Sequence, residues 1–142
     1  MMRCVMIAAA LLAAAAPAQA AEPIAGRWMT QEQDAVIAIK RCGAKAKAAL
    51  CGTLEKFLVL PAGGTDQRDV NNADPAKRER RLLGLPILLS LTEDKDLWRG
   101  EIYDPKSGRT YTSEVRRKGA GALEVKGCFG PLCRTQEWKK VS

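Results

Sequence analysis

No histidine occurs in this 142-residue chain, so carboxylates, lysines, arginines, tyrosines, serines and cysteines are left to do any chemistry. Histidine triads, histidine zinc sites and imidazole proton transfer are excluded at once. The residues Asp66, Asp69, Asn71 and Asp74 bring oxygen ligands close together, as a calcium loop would. Counted from Asp69, an EF-hand loop needs an oxygen ligand at its fifth position and glutamate at its twelfth. Ala73 and Arg80 stand there instead. The motif fails, and Asx side chains that stabilise turns account for these residues better, so no metal site is expected.

Lys77, Arg78, Arg80 and Arg81 form a dense basic run around Glu79, and Arg116-Arg117-Lys118 and Lys139-Lys140 add two more. With a net charge of +7, such runs suit an anionic partner: an acidic glycan, a lipid headgroup or another envelope surface. They equally suit a solvated face, or one arginine that pairs with Asp69 and orders the loop. No aromatic residues interleave with the basic ones, so base stacking and nucleic-acid binding are not expected. Trp98, Tyr103 and Tyr111 cluster around the turn at Asp104-Pro105. Core packing is the plain reading of them. The functional one is a barrel mouth lined by Trp28, Tyr103, Tyr111 and Trp138, with Tyr103 and Tyr111 paired across strands on one rim. Glycoside hydrolysis would need two carboxylates at a defined separation across a cleft. Glu101 with Asp104 or Glu114 offers residue types but no spacing that enforces it. The chain is therefore read as non-enzymatic, with no catalytic residue and no cofactor.

The first twenty residues have a different purpose. Arg3 is followed by an uninterrupted apolar run from Val5 to Ala16 and then by Pro17-Ala18-Gln19-Ala20. A basic start, a short apolar core and an A-x-A step make a secretory signal peptide. Twelve residues of helix rise only about 18 Å, too little to cross a bilayer. Residues 1–20 are expected to be removed, with the cut after Ala20 or one residue later. Residues 21–142 then form one domain with no transmembrane segment. The alanine-rich leader fits a bacterium and a periplasmic or secreted product.

Cys42, Cys51, Cys128 and Cys133 remain after the leader, an even number in an oxidising compartment. Three pairings are open, and proximity favours Cys42–Cys51 and Cys128–Cys133. Their spacings lack the tight C-x-x-C knuckle of a zinc site.

The elements that must position these residues read as short strands. Ala35 to Arg41 is rich in β-branched residues. Residues 46–60 make the return and leave room for one further strand. Residues 61–75 are polar and punctuated by Gly63-Gly64, Asn71-Asn72 and Asp74-Pro75; that is long for a plain loop in a small domain. A helical turn fits within 75–83. Leu85 to Leu91 is either a strand or a segment that plugs one end. From Leu97 onward, alternating residues are broken by turns at Asp104–Gly108, Gly119–Gly121 and Gly130-Pro131, which predicts a hairpin-linked meander. Trp28 after Gly26-Arg27 suits a first strand whose indole closes one end. Seven to nine strands and no convincing amphipathic helix predict an all-β fold, a small antiparallel meander closed or nearly closed into a barrel. An open sandwich is the alternative.

The blocks Gly26-x-Trp28, Cys42-Gly43, Leu50-Cys51-Gly52 and Asp69-x-Asn71-Asn72 lead to a resemblance. Arg78-x-Arg80-Arg81-Leu82-Leu83-Gly84-Leu85, Trp98-x-Gly100-x-Ile102-Tyr103-Asp104-Pro105 and Gly108-x-Thr110-Tyr111 extend it, and Leu123-x-Val125-x-Gly127 with Trp138 completes it. Together they resemble DUF2147, a family of small exported bacterial proteins of unknown function. The resemblance implies export and a lipocalin-like barrel, and it carries no established catalytic residue or ligand. Asn72-Ala73-Asp74-Pro75 departs from the family's usual N-P step, and Cys128 and Cys133 are additions to it.

The resulting expectation is an exported binding or envelope-associated protein whose loop 61–83 presents the recognition surface. Asp69, Asn71, Arg78, Arg80, Arg81, Trp98, Tyr103 and Tyr111 are its candidate binding residues. Its partner would be an anionic envelope component or another protein. A filled, inhibitor-like interaction module is the alternative, and a carboxylate hydrolase a remote one.

Overall fold

The computed structural model describes residues 14–43 and 49–142. Eight strands follow one another: β1 (Gly26–Met29), β2 (Ala35–Cys42), β3 (Ala49–Phe57), β4 (Pro86–Asp94), β5 (Leu97–Asp104), β6 (Arg109–Lys118), β7 (Ala122–Phe129) and β8 (Leu132–Val141). Each pairs antiparallel with its neighbour, and β8 returns to β1 to close the barrel in the order β1 to β8. The strand wall from β4 to β8 follows from alternation. On β7, Leu123, Val125 and Gly127 share a parity, and the first two are buried. On β6, Ser113 and Val115 do the same. Period-two patterning of this kind fixes which face turns inward.

The two ends of the barrel are built differently. Trp28, Ile37, Leu54, Val115, Leu123 and Trp138 pack the half near the chain's entry into β1. Ile24, fully buried, sits beneath them as the floor. Three carbonyls in succession hold this floor to the wall. Trp98 Nε1 donates to Glu22 O at 2.9 Å, Arg117 Nη1 to Pro23 O at 2.7 Å, and Trp28 Nε1 to Ile24 O at 2.9 Å. The Arg117 guanidinium also lies 5.1 Å over the Trp28 ring, a cation–π contact. Trp28 closes an end as its Gly-x-Trp setting predicts. The plug is Ile24 and its flanks; Leu85 to Leu91 supplies wall, through β4.

The opposite end carries the turns 30–34, 105–108 and 130–131 and the long loop 58–85. There β8 outruns its partner. β1 pairs with it only from Lys139 to Val141, and Gln31 Oε1 takes the Glu137 N–H. Leu132 to Gln136 therefore have β7 on one side and, among the described residues, no strand on the other. The barrel has a notch at its open end.

Two disulfides staple neighbouring strands. Cys42–Cys51 joins β2 to β3, and Cys128–Cys133 joins facing residues of β7 and β8 beside the notch. Residues 44–48, between β2 and β3, lie outside the described residues, as do residues 1–13 of the leader.

Two expectations change. The segment 46–60 yields one strand, β3, which ends at Phe57; Leu58, Val59 and Leu60 leave the sheet with exposed side chains. The helical turn within 75–83 shrinks to a 3-10 turn at Pro75–Lys77, where Pro75 stands in the first turn and Asp74 accepts from the Ala76 N–H. It goes no further because residues 80–82 are drawn into pairing with 67–69, through Asp69 N to Arg80 O and Leu82 N to Gln67 O, both 2.9 Å.

The floor yields a test. Replacing Ile24 with alanine removes a buried side chain with no means of refilling the space and should lower stability by about 2–5 kcal/mol in urea titration. A loss within a few tenths of a kcal/mol would mean that the N-terminal segment does not seal the barrel.

Candidate functional site

Loop 58–85 does not wave above the barrel. It folds down along the outer wall, held by one buried polar cluster. Asp69, only 1% exposed, accepts from the Tyr103 hydroxyl at 2.5 Å, from Asn72 Nδ2 at 2.8 Å and from Arg80 Nη2 at 3.0 Å. Asn72 Nδ2 also lies 3.1 Å from the Tyr103 oxygen. Tyr103 can serve here because its parity on β5 points outward, away from the barrel interior. Asn71 Nδ2 reaches the carbonyls of Pro105 and Lys106, each at 3.2 Å, and ties the loop to the β5–β6 turn. Gly108, at φ +70°, permits that approach, since a Cβ there would overlap the Asn71 carbonyl.

This geometry sets two ionisations. Burial works to raise the Asp69 carboxyl, but the hydrogen bonds from Tyr103, Asn72 and Arg80 and the Arg80 charge outweigh it and hold it below the ordinary carboxylate range. Burial first, then the hydrogen bond to Asp69 and its charge, push the Tyr103 hydroxyl up to about 12.

The structure brings Asp69, Arg80 and Tyr103 together and places the other candidates elsewhere. Arg78 Nε donates to Asn72 O, and Arg81 to Thr65 O and toward Asp66. These loop arginines are engaged with the loop itself, as in the reading where an arginine pairs with Asp69. Trp98 belongs to the floor. Trp28 and Trp138 also lie at the closed end, so the mouth imagined from four aromatics contains Tyr111 alone. Nor do Tyr103 and Tyr111 pair: Tyr103 faces Thr110, and Tyr111 faces Ile102. A shift of one residue places the two rings on opposite faces. The acids Glu101, Asp104 and Glu114 are likewise divided. Glu114 is on the outer wall between Arg99 and Lys126, which hold its carboxyl low against the effect of burial, whereas Asp104 faces inward. Asp66, Asp69, Asn71 and Asp74 bind four different sets of partners. Among the described residues no cluster of three metal-ligating side chains occurs.

The open end holds two adjoining cavities. One, of about 420 Å³, is bounded by Ile102, Tyr111, Val125, Phe129, Arg109 and Arg134, among others. The second, of about 640 Å³, lies between the loop (Asn72, Asp74, Lys77, Arg80) and the barrel, and shares Arg109 and Phe129 with the first. Phe129 and Leu132 stand 63% and 75% exposed at the lip, and Phe129 meets Tyr111 edge to face at 6.3 Å between ring centres. Arg109, Phe129, Arg134 and Gln136 were not singled out from sequence. The signal was present: Arg134 and Gln136 share the parity of the inward Trp138, which puts polar side chains on an interior face.

Residues 26–140 match a family described as uncharacterized proteins conserved in bacteria, DUF2147. The chain belongs to this family. A search of curated proteins finds no match. Among solved structures, the DUF2147 chain is similar to HP1028 from Helicobacter pylori, described as belonging to the lipocalin family. The TM-score is 0.63 with 23% identity, and 84% of each chain is covered. At that identity the likeness speaks for the fold: an eight-stranded antiparallel barrel of lipocalin type.

The buried cluster predicts a pH profile. Tyrosine titrates near 10 in an unfolded chain. Because the folded value is raised, its stabilising contribution is whole below about pH 10 and is lost as pH rises through about 12. The Asp69 contribution is present above the ordinary aspartate range and is lost as pH falls through its lowered value. Tyr103→Phe should flatten the alkaline limb, and Asp69→Ala should cost about 1–3 kcal/mol at pH 7 by leaving buried donors unpaired. Urea titration across pH checks both. An unchanged alkaline limb in Tyr103→Phe would show that this tyrosine does not set it.

Proposed function

We propose that this DUF2147 protein is an exported, non-enzymatic binding protein that holds a small ligand at the open end of its barrel, with loop 61–83 as one wall. The observation that carries the reading is the cavity of about 420 Å³ in the barrel mouth, within the size range of small-molecule sites. A protein with a floor packed by Ile24, Trp28 and Trp138 and a hollow opposite half has the shape of a cup.

Export is supported by the leader pattern of residues 1–20 and by two disulfides, which persist in oxidising compartments. Among the described residues no helix is long and apolar enough to cross a membrane. A periplasmic or secreted location fits these features. A carboxylate hydrolase would need two converging acids, and of the described residues lining this cavity Asp104 is the one carboxylate. Asp104 already accepts the Lys106 N–H at 3.0 Å in its turn. The exposed Phe129 and Leu132 favour a second reading, in which the β7–β8 hairpin docks on a protein partner.

Native mass spectrometry of the protein purified from the cell envelope tests the first reading. The expected species begins at Ala21 or Glu22, carries two disulfides and retains a small-molecule adduct. A protein with an intact leader in the cytoplasm, or one that never carries an adduct and elutes with a stoichiometric protein partner, would contradict it.

A further inference from the structure

The notch leaves a stretch of backbone without a partner strand. Lys140 N donates to Gly121 O at 2.8 Å, so the even-numbered residues of β8 turn their backbone groups toward β7. The odd-numbered ones turn theirs toward β1. Val141 and Lys139 face Arg27 and Met29 there, and Gln31 Oε1 caps the Glu137 N–H at 2.9 Å. Beyond that cap, Cys133 and Thr135 each present an N–H and a C=O to the notch, and both residues are exposed. Among the described residues no strand takes these four groups. The β7–β8 register runs unbroken from Ala122–Lys139 to Phe129–Leu132, so no bulge turns the edge aside, and Cys128–Cys133 holds it to β7. An open edge of this kind is a template for another extended backbone.

Charge decides which backbone fits. Arg134 lies between the two presenting residues, on the inner face with Leu132 and Gln136. It faces Gly127 on β7, whose neighbours on that face are Val125 and Phe129. None of these is acidic, and Asp104, the one carboxylate bordering the adjoining cavity, faces Arg109 instead. A second copy of this chain makes a poor occupant. If both copies used Cys133 and Thr135, the two-fold axis would pass at Arg134 and set that residue opposite its own copy. Facing residues at such a position lie about 4.5 Å apart between Cα atoms, and like charges there repel. Sliding the copy by two residues sets Thr135 against Pro131, which has no N–H, or Cys133 against Glu137, which Gln31 already caps. A foreign strand with an acid opposite Arg134 replaces the repulsion with a charge-assisted pair.

We propose that the free edge of β8 from Leu132 to Gln136 receives an extended acidic segment of another protein, antiparallel as β1 is, with a carboxylate opposite Arg134. Hydrogen bonds at Cys133 and Thr135 hold any backbone in this register, and Arg134 selects the charge. This rests on the second reading above, a protein partner at the β7–β8 hairpin, and gives that partner a binding mode and a charge. It requires no small ligand in the cup.

Amide hydrogen exchange of the mature, oxidised protein with the peptide acetyl-Ser-Thr-Val-Glu-Val-Thr-Ser-amide tests it. With the peptide about tenfold above its Kd, the Cys133 and Thr135 N–H groups should exchange about tenfold more slowly. N-methylation of the two valines, which face Cys133 and Thr135, should abolish this. N-methylation of the glutamate, whose N–H points away from β8, should not. A lysine in place of the glutamate should weaken binding at least about tenfold. Arg134→Gln should erase that preference and Arg134→Glu should reverse it, in variants whose near-ultraviolet circular dichroism stays native. A preference that ignores residue 134 would overturn the acidic class. Binding that survives valine methylation but is lost in the Phe129→Ser, Leu132→Ser double variant would overturn the edge and keep a protein partner at the hairpin. Slow exchange at Cys133 and Thr135 without peptide, deepening with protein concentration, would put a second copy there and overturn the proposal. No protection by any peptide would also overturn it, and the partner co-purified from the envelope then decides the hairpin reading independently.

Discussion

Three residue pairs between β1 and β8 turn a twisted meander into a barrel, and the rest of the structure depends on their position. A sheet this small must hide its edges, and closure is the means that removes them. β1 is short and β8 is long, so the closure is made at one end only. At that end the interior is packed and sealed by Ile24, whose neighbouring carbonyls are taken by Trp98, Arg117 and Trp28. At the other end the wall stops short beside Leu132–Gln136, and the interior is left unfilled. The mismatch in strand length thus separates a packed half from an open one.

The long loop follows the same division of labour. Its arginines and acids looked like a recognition surface, but a buried carboxylate imposes its own demand. Asp69 is stable in that environment because three donors surround it, and removing any of them would leave a charge poorly compensated. The cluster fastens the loop to the outer wall and so holds the side of the second cavity in place. Disulfide Cys128–Cys133 acts similarly on the hairpin that carries Phe129 and Leu132, at the point where β8 has no second neighbour.

Much of the architecture was legible in the chain. Alternation from Leu97 to Val141 and well-marked turns specify the meander, Gly26-x-Trp28 specifies a closing indole, and short spacings favour the disulfide pairing that occurs. The mouth was less legible, for a physical reason. Which face a strand residue occupies depends on register, and register changes at bulges such as the one between Leu89 and Thr92. Tyr103 and Tyr111, eight residues apart, look alike in sequence yet lie outside and inside the barrel because facing residues across this turn are an odd number of positions apart, as Tyr103 and Thr110 are, so an even separation puts two residues on opposite faces. Arg134 carried a parity signal in its alternation with Trp138, whereas the inward placement of Arg109 shows only once the β5–β6 register is known.

The half-open closure is tested most directly by amide hydrogen exchange along β8. The Glu137 N–H points toward β1, so the N–H groups of Cys133 and Thr135, of the same parity, point into the notch. They should exchange far faster than those of Glu137, Lys139 and Val141. Equal protection at all five positions would mean that the barrel is sealed along its full height, and the account of a cup with one open end would fail.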